Sequence, residues 1–381
     1  MSGSATDVGR GPFSPTRLDL ARRRRGMSRT LLAERLQVST RTLQRWERGE
    51  ATPDAVQCAV LADVLSMRPA FFARDDLDPL PETAVSFRAL SKLPAGERDT
   101  ALAAGRLGVE LVAWIRQRFG LPATDVPTLP GWDPETAADS VRARWNLGTR
   151  PIPGLLAQLE LHGIRVLSLA PEARSVDAFS FYWSTEPYVF LDTTKSGERL
   201  RFDAAHELGH LVLHCEHGAP QGREAEQQAH RFAGALLMPR AAVLAANLHH
   251  ATVEQVLRAK RTWRVAAMAL THRLHELGLL TDWRYRDMCI ELNRRGYRRS
   301  EPDGVPHETS QVLGKVFSAL RARKVGVDQI ADELGWQPRD VGVHLFGLAL
   351  TAHPGGAEPA PDPTGPDATR PNRPRPLRAL A

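Results

Sequence analysis

The stretch 199–215, RLRFDAAHELGHLVLHC, carries two histidines four residues apart, His206 and His210, with Glu207 directly after the first. Residues i and i+4 of a helix stack on one face, so both imidazoles point at one spot. Two imidazoles there can hold a zinc ion at about 2.0–2.1 Å each. Glu207 falls about a third of a turn around the helix. It is close enough to take a proton from water at that spot without ligating. Two ligands and a general base are the parts of a hydrolytic metal site. The pattern also arises by chance in long helical proteins. The chain supplies its own near miss, HELGLL from His275, where position 279 is leucine; that segment reads as an ordinary core helix.

A catalytic zinc needs a third protein ligand and an open position. Downstream lies GREAEQQAHRFAGALLMP, in which Glu226 shares a helical face with Ala229, His230, Ala233 and Leu237. An acid followed three residues on by a small residue is the order in which gluzincin-type enzymes place the third ligand. The small Ala229 lets a second helix approach the first closely. Rivals to Glu226 are His214, Glu216, His217 and Glu224. Of these, His214 continues the histidine stripe but stands a turn too far along, and Glu224 faces elsewhere. Cys215 reads as buried core, with a thiolate ligand as the minor alternative. Tyr188, His214 and His230 are candidates to stabilise an oxyanion, and the sequence does not choose among them. The run PYVFLD before the helix reads as an edge strand on which an extended substrate could pair.

The pair RLRFDAAHELGHLVLH and EQQAHRFAGALLMP resembles the ImmA/IrrE family of metallopeptidases over about residues 150–300. The resemblance implies a zincin core, bound Zn²⁺ and a protein substrate, since these enzymes cleave or regulate transcription factors. It implies His206, His210 and Glu226 as metal ligands and Glu207 as catalytic base. The chain departs from the family at His230, where Asn or Asp is usual. That position supports a metal histidine from outside the coordination sphere. A histidine there could do the same, or close the site as a fourth ligand.

Nearer the N-terminus, GMSRTLLAERLQVSTRTLQRWERGEATPD reads as a helix-turn-helix. Ser28 and Ser39 have the chemistry of helix N-caps. The apolar residues of the first helix are Leu31, Leu32 and Leu36, and Leu43 and Trp46 would face in from the second. The second helix would present Thr40, Arg41, Gln44 and Arg45 to the major groove, where Arg and Gln can read guanine and adenine edges. Arg29 and the run Arg22–Arg25 could neutralise phosphates. Residues 16–72 resemble the Cro/C1-type (XRE) family, including the WERGEATP ending. The family's usual Gln stands as Arg29 here. The resemblance implies double-stranded operator DNA as a partner and, by analogy, a homodimer. The bland alternative is a helical bundle with a solvated basic face.

Composition fits both readings. The 381 residues are 42% hydrophobic and 25% charged, with net charge +6, so globular domains and an anionic partner are reasonable. Three scattered cysteines with no CxxC indicate neither a disulfide framework nor a cysteine zinc site and point to a reducing cytoplasm. No apolar run approaches the roughly 20 residues of a membrane span, and the start lacks a signal-peptide core.

The elements that must position these residues follow from periodicity. The expected fold is mainly α with a small antiparallel β-sheet (α+β). It comprises a disordered 1–15, a helix-turn-helix domain 16–74, a helical linker region 75–149, a zincin-like domain 150–300, a helical C-terminal region 301–353 with a last helical pair, and a disordered Pro/Arg-rich tail 354–381. Three β-rich runs, GIRVLSL, AFSFYW and PYVFLD, supply the sheet. The segment around Gly335 has a second helix-turn-helix rhythm with few basic residues, which favours packing or dimerisation. The string Arg294, Arg295, Arg298, Arg299 reads as a solvated face that could also touch DNA.

The functional expectation is a DNA-binding regulator carrying a zinc-dependent endopeptidase that cleaves a repressor or partner protein. The competing class is a transcription factor or antitoxin whose zincin-like domain only senses metal, ligand or partner. Glu207 favours the enzyme, because a structural zinc site has no need of that acid.

Overall fold

The computed structural model describes residues 13–80, 94–170, 176–215, 222–297 and 300–349. The expected N-terminal and C-terminal disordered stretches lie outside the described residues except at 13–15.

The chain begins with four helices: α1 (Pro15–Arg24), α2 (Arg29–Arg35), α3 (Thr40–Glu47) and α4 (Ala55–Val64). Each starts where a side chain can accept from a free N–H of the first turn. Ser14, Ser28, Ser39 and Asp54 do so, and Asp54 forms a capping box with Gln57. Leu18, Leu32, Leu43, Leu61 and Phe71 close the core beneath them, with Trp46 almost fully enclosed. Leu31, apolar on α2, is exposed.

Helix α5 (Ala95–Arg116) is buried on nearly every side from Thr100 to Val112. Its sequence, ALAAGRLGVELV, is apolar around most of its circumference, as a central helix requires. Arg17 of α1 donates to Glu110 of α5 at 2.7 Å, both buried. Two shorter helices follow, α6 (Pro134–Arg144) and α7 (Leu155–Leu161).

The sheet contains β1 (Arg165–Ser168), β2 (Ala178–Trp183) and β3 (Glu186–Leu191) in the order β1-β3-β2. It is mixed, not antiparallel as expected. β2 and β3 form an antiparallel hairpin turned at Ser184, which adopts φ +56°. β1 adds to the far side of β3 in parallel, with Val166 opposite Val189. Strand composition gives the elements but not the direction of a non-adjacent pairing. One consequence corrects a second expectation. The PYVFLD strand is β3 and lies in the centre, paired on both sides, so the edge beside the hairpin belongs to β2.

Alternation along β2 sorts its side chains to two faces. Phe179 and Phe181 stack with Phe190 and Tyr188 on one face. Ser180 and Tyr182 face the next helix, α8 (Gly197–Leu213), where Tyr182 Oη donates to the Leu211 carbonyl at 3.4 Å. α9 (Arg223–Leu237) packs along α8, followed by α10 (Arg240–Ala245), α11 (Val253–Trp263), α12 (Ala267–Glu276) and α13 (Asp282–Arg294). The near-miss segment at His275 ends α12. Its Leu270 and Leu274 are core, and His275 pairs with Asp282 at the surface.

Three helices, not a pair, complete the described chain: α14 (Gln311–Ala322), α15 (Val327–Leu334) and α16 (Pro338–Leu345). They bind the N-terminal helices. Asp340, buried on α16, accepts two bonds of 2.8 Å from Arg25 and lies 3.7 Å from Arg24. Gly335 turns α15 into α16 at φ +74°, and a Cβ there would lie 2.6 Å from the Phe71 nitrogen. Only glycine meets both conditions. The packing role read from the Gly335 rhythm is therefore what the fold uses it for. Glu308, just before α14, receives Arg201 of α8.

Candidate metal centre and DNA-reading helix

α8 begins at Ser196, whose hydroxyl accepts from Arg199 N–H, and its apolar face holds Leu200, Ala204, Leu208 and Leu211 in the core. The same register brings His206 and His210 to the α9 side. Gly209 sets the distance between the helices. A Cβ at that position would meet Phe232 at 3.0 Å and the Ala229 Cα at 3.2 Å. The small pair Gly209 and Ala229 thus lets α9 come near enough for Glu226 to reach both imidazoles.

Three side chains converge there. His206 Nε2 and His210 Nε2 are 3.2 Å apart. Glu226 Oε2 lies 3.2 Å from the first and Oε1 lies 3.3 Å from the second. Four-coordinate zinc with bonds of about 2.0–2.1 Å spaces its ligand atoms about 3.3 Å apart. The donor set, two imidazoles and one carboxylate, fits a divalent ion in both chemistry and dimension. Among the described residues it is the one such cluster.

Electrostatics follow from this crowding. Burial alone would raise the Glu226 pKa, but hydrogen bonds from His206 and His210 and their charge hold it well below the usual carboxylate range. Burial likewise opposes the charged form of His206. Its bond to Glu226 and the nearby carboxylates of Glu207, Glu226 and Asp203 outweigh that and raise its pKa. His214 is pushed down to about 4, first by burial, despite its bond to Gln228.

Glu207 is buried and outside the ligand cluster. Ser180 Oγ of β2 donates to Glu207 Oε2 at 2.6 Å. Sequence reasoning missed Ser180. Its signal was the alternation of β2, which sends Ser180 to the α8 face.

The remaining candidates separate. His214 stands at the C-cap of α8, its Nδ1 3.0 Å from His210 Nδ1 and its Nε2 2.9 Å from Gln228 Oε1. Glu224 faces away from the cluster and accepts from Gln228 Nε2 at 3.3 Å. His230 lies beside His206, ring centroids 6.4 Å apart, and packs between Phe202 and His272. Tyr188 is not available as an oxyanion donor: it is buried and its hydroxyl is turned to Glu186. Cys215 is half-buried, not core. Glu216 and His217 lie outside the described residues, as do Arg298 and Arg299.

On the N-terminal helices, Leu43 and Trp46 of α3 are buried as expected. Arg41 and Arg45 are exposed, and neither has an ion-pair partner among the described residues; Thr40 and Gln44 are half-buried. Arg29 is half-exposed and tied to Glu47. The Arg22–Arg25 run is not a phosphate-binding patch. Arg22 binds Glu47 at 2.6 Å, Arg23 binds Asp19 at 2.6 Å, and Arg24 and Arg25 face Asp340. On a helix, four consecutive residues point in four directions, and here three of them point into the protein or its neighbours.

Comparison with known families assigns both parts. Residues 159–275 match the Peptidase_M78 family, the IrrE N-terminal-like domain. Residues 18–72 match the helix-turn-helix family HTH_3. No curated protein matches the chain. The chain joins an XRE-type helix-turn-helix domain to an IrrE/ImmA-like domain of a metallopeptidase family. It is a DNA-binding regulator with a protease-like domain, and no helix among the described residues is long and apolar enough to cross a membrane.

Proposed function

We propose that this regulator binds operator DNA through α3 and is a zinc-dependent endopeptidase that cleaves a repressor or partner protein. His206, His210 and Glu226 would hold the ion. When bound, zinc supplies a Lewis acid that polarises the scissile carbonyl and acidifies water. Glu207 accepts the proton of the attacking water and returns it to the leaving amine. Ser180 holds Oε2 of that carboxylate and so fixes its orientation. His230, exposed next to His206, lines the mouth of the site. The observation that carries this reading is the convergence of two imidazole nitrogens and one carboxylate, with one ligand atom from each residue within 4.8 Å of the others and Glu207 adjacent but outside the set. Arg41 and Arg45, with Thr40 and Gln44 beside them, read base edges, and Arg29 makes a phosphate contact. Such a domain binds a two-fold operator as a homodimer.

The test incubates purified protein with candidate repressors, with and without chelator. Chelator-sensitive cleavage that Glu207→Gln abolishes while retaining zinc supports the enzyme. Bound zinc without chelator-sensitive cleavage supports the sensor instead.

A further inference from the structure

A hydrogen-bonded chain runs outward from the metal cluster along α8 and α9. His210 Nδ1 is 3.0 Å from His214 Nδ1. His214 Nε2 is 2.9 Å from Gln228 Oε1. Gln228 Nε2 donates to Glu224 Oε1 at 3.3 Å. We propose that His214, Gln228 and Glu224 form a relay that fixes the tautomer and ring orientation of His210, so that His210 Nε2 presents its lone pair to the metal.

The bookkeeping leaves one arrangement. A carboxylate only accepts, so the Gln228 end facing Glu224 is the NH₂, and the end facing His214 is the carbonyl. A carbonyl only accepts, so His214 Nε2 carries the hydrogen. A neutral ring has one N–H, so His214 Nδ1 is the acceptor. His210 Nδ1 must then donate, so in the neutral ring that would bind a metal His210 Nε2 is the bare nitrogen. That is the nitrogen 3.3 Å from Glu226 Oε1 and 3.2 Å from His206 Nε2. Each link depends on the one before it, so the direction of the whole chain is set at the Glu224 carboxylate.

Local structure explains how His214 reaches back. It is the C-cap of α8 at φ −124°, ψ 22°, while its backbone N–H still bonds the His210 carbonyl at 2.9 Å. The departure from helical φ swings its ring toward the preceding turn. Gln228 lies two residues beyond Glu226 on α9, so the helix that supplies the third ligand also supplies the relay. His214 is therefore a positioning residue. It is neither a ligand nor a catalytic group, and Glu224 gains a role that its distance from the cluster conceals.

The inference rests on the reading that His206, His210 and Glu226 bind a metal, and its test separates the two. Co²⁺ affinity is measured by competition with a chromophoric chelator for the full chain and for His214→Leu, His214→Gln and Gln228→Leu. Folding of each is checked by thermal melting. Loss of the outer partner of a metal histidine weakens binding by about 10–100-fold. His214→Leu shows that loss. His214→Gln, whose carbonyl can still accept from His210 Nδ1, restores most of the affinity with an unchanged cobalt d–d band. Gln228→Leu falls between. Wild-type affinity in His214→Leu overturns the relay, as does a His214→Gln variant no better than Leu. A changed d–d band at saturating Co²⁺ in His214→Gln also overturns it, because His214 would then be a ligand. If the wild-type chain binds no Co²⁺, the metal reading fails, and ¹H–¹⁵N histidine spectra of the metal-free protein at about pH 8 judge the relay alone. An Nδ1–H tautomer at His210 supports it and an Nε2–H tautomer overturns it.

Discussion

Glu207 and Ser180 meet at 2.6 Å across the gap between an α-helix and a β-strand, and neither contributes to the metal cluster. Their separation of labour gives two expectations. Glu207→Gln removes the proton acceptor but not the fold of α8, so zinc content stays at the wild-type level while cleavage is lost. Ser180→Ala removes the hydroxyl that holds Glu207 Oε2; turnover falls by up to about a hundredfold, the scale of a slightly misplaced reacting group, with zinc content unchanged by elemental analysis. A loss of zinc in Ser180→Ala would make Ser180 a packing residue only. The metal itself adds stability by mass action, about 2.7 kcal/mol at a hundredfold excess over Kd. Chelator should therefore lower the melting temperature of the wild-type chain and leave that of His206→Ala where it stands. At this scale the sequence was informative where spacing within one helix decides, as for His206, Glu207 and His210. It was silent where a contact joins distant segments. Ser180 lies 27 residues before Glu207 in the chain, and the alternation of β2 gives its face but not its partner.

Helix α8 is held against α9 by what is missing from it. Gly209 leaves room for Phe232 and Ala229, and an added Cβ would meet them at 3.0–3.2 Å. Gly209→Ala forces one helix to yield, and overpacking of this kind costs about 1–3 kcal/mol. Since Glu226 rides on the helix that moves, the substitution should also weaken zinc binding. Urea denaturation with zinc analysis checks both, and a variant with normal stability and normal zinc would show that the approach is slack. The close approach was readable in Ala229, because a small residue on the Glu226 face invites a neighbour. The direction of β1 was not readable. Antiparallel and parallel partners use the same β-branched and apolar residues, and only the tertiary path of the chain put β1 beside β3. The Arg22–Arg25 run misled for a related reason. Charge in sequence looks like charge in solution until the counter-charges, Glu47 and Asp340, are brought in from 25 and 315 residues away.

Across the whole molecule, α15 and α16 tie the DNA-binding helices to the sheet. Asp340 holds Arg25, Gly335 presses on Phe71, and Thr193 after β3 donates to the Phe346 carbonyl at 2.9 Å. Asp340→Asn strands buried guanidinium charge, a loss of about 3–5 kcal/mol when one partner of a buried pair is removed. It should lower the melting temperature and loosen operator binding in a gel shift, although Asp340 is far from α3 in sequence. His344, fully enclosed beside Phe190 and Trp336, provides the pH signature of the same joint. Burial, with the Arg24 charge, pushes its pKa down to about 3 from an ordinary 6.5. The unfolded chain therefore binds more protons than the folded one between these values. Stability is fully present above about pH 6.5 and falls as pH drops toward 3. His344→Leu should flatten that acid limb in denaturation curves taken from pH 7 to 4, and an unchanged limb would place the titration elsewhere. Both the helix-turn-helix and the IrrE-like parts were legible from local motifs. Their joint was not, because it is made by single residues whose partners lie hundreds of positions apart.

The central claim is that His206, His210 and Glu226 surround one divalent ion while Glu207 stands by without ligating. Zinc stoichiometry by elemental analysis of the wild-type chain, Glu226→Ala and Glu207→Gln tests it most directly. The account predicts one equivalent in the wild type, one in Glu207→Gln and none in Glu226→Ala after dialysis. A full equivalent retained by Glu226→Ala, or zinc lost from Glu207→Gln, would contradict it.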